Sequence, residues 1–329
     1  MIMPIDYLKL QTKFQPIIMQ VRELDLLPNY AKKGRECFKL NERIQFEFRP
    51  AFEYDEFVGY SILEIIIYPH YLYNGGKHNG NDFKPTDCIK VLSDVFEVLR
   101  INEKHFKELD VVNIEFGVNV IPETDVKEVV SSIKYWKSKP FRRNKAKYSL
   151  ITDSTKHKQI KAYAKGIDDL DRIKSGEIHP NTFRLEIKSK ERKFLKLKLN
   201  DLFKDEVYND FQKRILDELK YIIFLDQNLI KNKLIPKEKN AVRMYLNPDS
   251  WKNFLSDVNR DKFNYNRKKY EMICAKFPTI KGEIKRAIEH KFSEWKNSAI
   301  STERIVTKRI ENQQNNQNKF CNFHLTRAL

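Results

Sequence analysis

Glycine is scarce in this chain, 9 of 329 residues, and none falls in a G-x-G-x-x-G or G-x-x-x-x-G-K-[ST] arrangement. Dinucleotide and P-loop sites need glycine where backbone closes on phosphate, so hydride transfer and ATP-driven motor work are excluded. Cysteine is scarcer still. Cys37, Cys88, Cys274 and Cys321 lie far apart without C-x-x-C spacing, which suits a reducing cytosol. Long apolar runs are missing: Tyr221 to Leu225 and Ile65 to Tyr68 are far too short to cross a bilayer. The first residues, Met1-Ile-Met-Pro-Ile-Asp-Tyr7, lack the charged-then-apolar layout of a secretory signal. A soluble cytoplasmic protein is expected. No internal repeat is visible.

What is present is a sizeable apolar complement and a lopsided charge. Hydrophobic residues make up 41% and aromatics 12%, which excludes a disordered chain. Lys and Arg number 62 against 45 Asp and Glu, a net of +17. The excess is localised: residues 1–133 are net −5, 134–165 net +10 with the single acid Asp153, 166–230 balanced, and 231–329 net +12. A Lys- and Asn-rich composition accounts for part of this, but not for the loss of acids between Lys134 and Lys165. Such a distribution points to a polyanionic partner, nucleic acid.

The first half reads as strands with one clear helix. Arg43 to Arg49 alternates polar and apolar, Tyr60 to Tyr68 is a more buried run, and Asn74-Gly-Gly and Asn79-Gly-Asn-Asp82 are turns. A helix is expected from Thr86 or Asp87, with Ile89, Leu92, Phe96 and Leu99 on one face. From about Lys190 the pattern turns helical: Val207 to Ile230 reads as one long helix, with shorter ones near Asp249–Val258, Tyr265–Phe277 and Lys281–Lys296. Asn312 to Asn318 is a Gln/Asn tract. The expected fold class is α+β: an antiparallel-sheet catalytic domain over 1–205, a basic helical DNA-binding region over 206–311, and a Gln/Asn-rich tail over 312–329.

Three alternating segments carry candidate chemistry, because side chains alternate across a strand. Val111 to Val120 puts Asn113, Glu115, Gly117 and Asn119 on one side; Gln159 to Lys165 puts Gln159, Lys161, Tyr163 and Lys165 on one side; Phe183 to Lys188 does so with Arg184, Glu186 and Lys188. Sharing a sheet, they would form one polar surface. Glu115 and Glu186 offer hard oxygens for Mg²⁺ or Mn²⁺, Arg184 or Lys165 would offset charge on a phosphodiester, and Tyr163 would attack phosphorus. Tyr148, Tyr208 and Tyr221 are rival nucleophiles, with Tyr221 expected in the core. The basic run Lys134 to Tyr148 interleaves Lys134, Lys137, Lys139, Arg142, Arg143, Lys145 and Lys147 with Tyr135, Trp136 and Phe141. With Lys161 beside it, it reads as a single-strand channel in which cations track phosphates and Trp136 stacks on a base. Cys321-Asn-Phe-His324 has a zinc-knuckle-like spacing, for which a frayed tail is the plainer account.

Gln159-Ile-Lys-Ala-Tyr-Ala-Lys-Gly166 with Thr182-Phe-Arg-Leu-Glu-Ile-Lys-Ser-Lys-Glu-Arg192 resembles the Tyr-x-Lys plus Arg-Phe-Glu-(Ile/Leu)-Arg pairing of rolling-circle replication initiators. The likeness is to the replication initiation factor family of plasmids and conjugative elements and to replication proteins of filamentous-type single-stranded DNA phages. Ile114 to Asn119 is similar to that family's Arg-Ile-Asp-x-x-x-Asp strand, with Glu115 in the first acidic place and Asn119 in the second. The resemblance spans residues 60 to 200. It implies a metal-dependent nickase of the bacterial cytoplasm, with Asn119 joining the metal ligands. Such an enzyme leaves a 5′-phosphotyrosine link and a free 3′ hydroxyl as primer, and works with origin DNA and a host helicase and polymerase. A His-hydrophobe-His metal motif is absent, so His70 and His78 are expected to be surface or structural residues rather than ligands. A conjugative relaxase with the same chemistry, and a non-catalytic origin- or operator-binding protein, are the alternatives.

Overall fold

The computed structural model describes residues 5–30, 32–144, 148–155, 157–167, 170–189, 195–255 and 260–296. Lys145, Lys147, the Asn312–Asn318 tract, the 312–329 tail, Cys321 and His324 lie outside the described residues.

The chain opens with β1 (Ile5–Thr12), α1 (Gln15–Arg22), β2 (Leu27–Pro28), β3 (Glu36–Asn41), β4 (Ile44–Glu53), β5 (Glu56–Ile67), α2 (Pro69–Tyr73) and α3 (Pro85–Val98). It continues through β6 (Asp110–Val120), α4 (Val126–Ser132), β7 (Ile133–Trp136), β8 (Lys139–Pro140), β9 (Arg142–Asn144), β10 (Ser149–Thr155), β11 (Lys158–Ala164), α5 (Leu170–Lys174) and β12 (Phe183–Ser189). The remainder is α6 (Asp205–Lys220), β13 (Ile222–Phe224), α7 (Pro236–Leu246), α8 (Pro248–Leu255), α9 (Arg260–Cys274) and a last helix, α10, over 280–296. No helix among the described residues is long and apolar enough to cross a membrane.

Ten strands form one antiparallel sheet in the order β2-β3-β4-β5-β1-β6-β12-β11-β10-β9. The architecture is α+β, as the sequence pattern predicts, with helices concentrated towards the C-terminus. One sheet face is apolar throughout: Leu8, Leu10, Phe46, Leu63, Ile65, Ile114, Phe116, Val118, Ile160, Leu185 and Ile187 are all buried. Each fully buried side chain of this size contributes about 1.5–3 kcal/mol, so the alternation fixes which face meets the helices and which carries polar groups. Pro16 presets the first turn of α1, which buries Ile17, Ile18 and Val21. α6 buries Tyr208, Phe211, Ile215 and Leu219 at helical spacing, and Phe211 stacks on Phe116 of β6 at 4.2 Å.

The strand order is a palindrome, and so is the chain's route through it. Each half starts at a central strand, β1 or β6, crosses by a helix, α1 or α4, to the sheet's edge, and returns strand by strand to β5 or β12. The register repeats too. Tyr7 pairs with Glu115 and Lys9 with Asn113, so an axis between β1 and β6 exchanges residues 7 and 9 with 113 and 115. The same correspondence sets Gln11 opposite Glu64 and Gly117 opposite Glu186, and Leu63-Glu64-Ile65 matches Leu185-Glu186-Ile187. The two halves of the sheet are therefore related by a pseudo-two-fold, a repeat of topology where the sequence shows none. The other positions share little beyond pattern, which is why the repeat shows in topology and not in letters.

The expected helix from Val207 to Ile230 ends at Lys220. Ile222, Ile223 and Phe224 instead form β13, which pairs with β7. Ile222 and Phe224 enter the main core while Ile223 and Leu225 enter a second cluster with Tyr135, Val242, Tyr245, Trp251, Phe263 and Tyr270. A run buried on both sides looks the same in sequence as a buried helical segment. Helix α10 returns to the main core through Ile280, Ile284, Ile288, Phe292 and Trp295.

Candidate active site

The polar face of β6, β12 and β11 is built in rows. Tyr163, Arg184 and Asn119 stand side by side across the three strands, then Lys161, Glu186 and Gly117, then Gln159, Lys188 and Glu115. The pairing β11-β12-β6 thus gathers Tyr163, Glu186 and Glu115 on one surface. Gly117 matters because it has no side chain: a Cβ there would meet Glu186 Cγ at 2.6 Å and the Leu185 carbonyl at 2.8 Å. Its absence lets the Glu186 carboxylate lie towards Glu115 on the neighbouring strand.

Arg184 is the organising group. It is 0% exposed, and its guanidinium donates to three acceptors: Glu186 through Nε, Asn119 Oδ1 through Nη1 at 2.6 Å, and Asp6 through Nη2. Asp6 reaches this face because a register shift between Ile5 and Tyr7 re-aims the start of β1. Its other oxygen lies 3.0 Å from Nδ1 of His70, whose Nε2 lies 3.0 Å from Asn81 Oδ1. Asn119 donates to the carbonyls of Gly80 and Asn81 at 3.0 Å each. Burial, more than any neighbour, pushes the His70 imidazole down to about 4. His70 is structural, stacked on Phe83 at 4.6 Å.

Around the carboxylates, the Tyr163 hydroxyl donates to Glu186 Oε1. Lys161 donates to Glu115 and, at 3.3 Å, to Glu186 Oε2. Lys188 lies 3.3 Å from Glu115 Oε2, and Lys165 donates to Asn79 Oδ1 at 2.7 Å. Burial, followed by the charge of Glu186 and a hydrogen bond with it, raises Glu115 to about 7 against the pull of Lys161 and Lys188. Burial works the same way on Glu186, but Arg184, Lys161 and the hydrogen bonds from Glu115 and Tyr163 outweigh it and hold Glu186 well below the usual range. Burial and the neighbouring charge thus favour the protonated form of Glu115, while its partner Glu186 stays ionised. Lys161 stays charged: burial opposes the charge, and Glu186 and Glu115 restore it and raise the ammonium further.

The donor chemistry suits a divalent cation at the Glu115–Glu186 pair, with Lys161 as its stand-in. That ammonium bridges one oxygen of each carboxylate, the place a bridging cation would take. Asn119 does not join them. It lies four residues from Glu115 on one strand, roughly 13 Å away, and its amide is committed to Arg184 and the 80–81 backbone. Asn119 therefore stands apart from the expected set Glu115, Glu186, Asn119, and no group of three acidic, His or Cys side chains fit for a metal occurs among the described residues.

The basic segment divides by burial. Trp136 is 4% exposed and its indole N–H donates to Glu218 Oε2 at 2.7 Å; Tyr135 and Phe141 are buried as well. These rings anchor the segment, so Trp136 is corrected from a base-stacking platform to a core residue. Lys134 donates to the Ser131 carbonyl at 2.6 Å, and burial, then the charge of Arg143, brings its ammonium down to about 8. Arg143 donates to the Ser131 and Ile133 carbonyls at the end of α4. Lys137, Lys139 and Arg142 face outward, Lys137 with its ammonium 4.3 Å from the Tyr221 ring centroid. Lys161 lies in the carboxylate cluster. Of the rival tyrosines, Tyr208 is buried and donates to the Leu202 carbonyl. Tyr148 and Tyr221 are exposed, Tyr221 against the expectation of a core position.

Sequence reasoning missed Asp6, His70, Asn81 and Gly117 as parts of this site. The glycine in an otherwise alternating strand was the available signal.

No protein-family model matches the chain, and no curated protein sequence matches it. Among solved structures it aligns with the rolling circle replication initiator protein from Geobacillus stearothermophilus. The alignment has 13% identity and a TM-score of 0.40, and covers 77% of this chain and 95% of that chain. Likeness of this degree assigns neither an activity nor a residue role.

Proposed function

We propose that the chain initiates rolling-circle replication by nicking one strand of origin DNA. The observation that carries the reading is the Tyr163 hydroxyl held on the Glu186 carboxylate, on the same sheet face as Glu115. The resemblance of the Tyr163–Lys165 and Arg184–Lys188 strands to initiator motifs supports it.

In this reading the Tyr163 oxygen attacks phosphorus, an O–P bond forms and the P–O3′ bond breaks. The tyrosyl proton is relayed through Glu186 to the Glu115 carboxyl, which burial raises, and Glu115 supplies a proton to the departing 3′ oxygen. Lys161 and Lys188 balance the carboxylates through the step, while Arg184 acts as a positioning residue that fixes Glu186, Asn119 and Asp6. A Mg²⁺ or Mn²⁺ ion held by Glu115 and Glu186 in place of Lys161 would instead supply Lewis-acid relief of charge on the phosphodiester and take over the neutralising role that Lys161 and the Glu115 proton have without it. Lys137, Lys139 and Arg142 would track the DNA backbone, and a host helicase and polymerase would extend the 3′ hydroxyl. A second reading, a non-catalytic origin-binding protein, is favoured by one feature: Lys161, Lys188 and Arg184 already lie on carboxylates.

The test is incubation with supercoiled plasmid carrying this chain's coding segment and its flanks, plus Mn²⁺. Nicked circles bearing covalent protein support the enzyme, with the rate falling at least ~100-fold in Tyr163→Phe; specific binding without nicking supports the second reading.

A further inference from the structure

The other half of the sheet carries a second centre of the same make-up. On the same sheet face, Glu47 of β4 stands beside Glu64 of β5, and Glu64 occupies the position equivalent to Glu186. Both carboxylates are buried. Lys9 Nζ lies 2.6 Å from Glu64 and 3.3 Å from Glu47, Lys32 lies 2.6 Å from Glu47, and Arg35 lies on both. Tyr30 donates its hydroxyl to Glu47 Oε1 at 2.5 Å. Two carboxylates, two lysines, an arginine and a tyrosine bound to one carboxylate are thus present twice.

The copies differ in how the tyrosine arrives. The strand position equivalent to Tyr163 holds Arg49, and Tyr30 comes instead from the turn after β2, with a side chain 43% exposed. Its exposed ring leaves Tyr30 reachable by a substrate while its hydroxyl is tied to a buried carboxylate, as a nucleophile requires. Burial opposes ionisation of Glu47, but hydrogen bonds from Lys32 and Tyr30 hold it ionised down to about 2. It therefore stays an acceptor for the Tyr30 hydroxyl at neutral pH; burial and that bond raise the phenol above its usual range, so its proton must leave as the O–P bond forms. Three inter-strand steps and six residues along the strands separate the centres, roughly 25 Å. The axis between β1 and β6 relates them by a half-turn, so strands lying across the two run with opposite polarity.

We propose that Tyr30, with Glu47 and Glu64, forms a second strand-transfer centre acting on single-stranded DNA phosphodiester. The Tyr30 oxygen bonds to phosphorus and the P–O3′ bond breaks. The phenolic proton passes to Glu47 and from there to the departing 3′ oxygen, so the step needs no further reactant. This rests on the strand-transfer reading of Tyr163, and one chain would then hold two strand ends at once.

The test is incubation of the full chain with a randomised single-stranded oligonucleotide pool and Mn²⁺, followed by trypsin and mass spectrometry of nucleotide-linked peptides. Linked nucleotide is expected both on the peptide Glu23–Lys32, which contains Tyr30, and on Ala162–Lys165, which contains Tyr163. Tyr30→Phe should remove the first and keep the second, and Tyr163→Phe the reverse. Because each loses only a hydroxyl, circular dichroism should show both folded. Adduct on Tyr163 alone overturns this proposal and leaves the proposed function standing. Adduct on Tyr30 alone overturns the two-centre arrangement, and adduct on neither overturns both readings.

Discussion

Gly117 stands directly opposite Glu186 in the β6–β12 pairing, and the side chain it lacks is the space the Glu186 carboxylate uses. The placement of the Glu115–Glu186 carboxyl pair depends on this relationship. With any Cβ at position 117, Glu186 would be pushed off β6 and away from Glu115.

Gly117→Ala should therefore impair the site while keeping the fold. The added methyl meets backbone as well as the Glu186 side chain, so overpacking of about 1–3 kcal/mol is expected. Thermal denaturation should show a lowered midpoint, and nicking should fall more than the equivalent Val118→Ala substitution on the apolar face causes.

Arg184→Ala should be the most destabilising single change in the sheet. It leaves Asp6 and Glu186 buried without their shared cation, an imbalance that costs about 3–5 kcal/mol. Arg184→Lys restores the charge but cannot reach three acceptors, so chemical denaturation should place it between wild type and Arg184→Ala.

The Glu115 carboxyl, raised from 4.5 to about 7 by burial and by Glu186, gives a stability term with a definite sign. Its proton favours the folded state, so the contribution is complete below pH 4.5 and is lost as pH rises towards 7. Glu186 works in the opposite sense and loses its contribution only on acidification below 4.5. Glu115→Gln removes the first slope: relative to wild type, its stability should rise by up to about 3 kcal/mol between pH 4.5 and 7.5. Equal pH dependence in the two proteins would contradict the raised Glu115 carboxyl.

A divalent cation on the carboxyl pair would compete with Lys161 for the same oxygens. Lys161→Met should raise Mn²⁺ affinity roughly tenfold or more, about 1.4 kcal/mol, measured by titration of the free-ion paramagnetic signal. Glu186→Gln in the same background should abolish the gain. Unchanged affinity in Lys161→Met would show that the pair does not hold the metal.

Much of this arrangement was legible in the sequence because alternation assigns faces. Glu115, Lys161, Tyr163, Arg184 and Glu186 fall on polar sides of strands that prove to be neighbours. Asp6 was not legible, because it reaches Arg184 through a register shift that no alternating pattern encodes. His70 sits in a five-residue helix and meets the site through Asp6 and Asn81. Trp136 misled because aromatic residues among lysines look the same whether they stack on bases or anchor a strand between two cores. The repeat of topology was hidden for a related reason: equivalent strands keep their burial pattern, while Glu115 faces Lys9 and Lys161 faces Glu47 as counterparts.

The central claim is that the Tyr163 oxygen forms the bond to DNA. Mapping the covalent adduct after nicking of the plasmid substrate tests it most directly. The account predicts phosphate-linked nucleotide on the peptide Ala162–Lys165 of wild type and no such peptide from Tyr163→Phe. DNA cut at full rate by Tyr163→Phe, or adduct found only on Tyr148 or Tyr221, would contradict it.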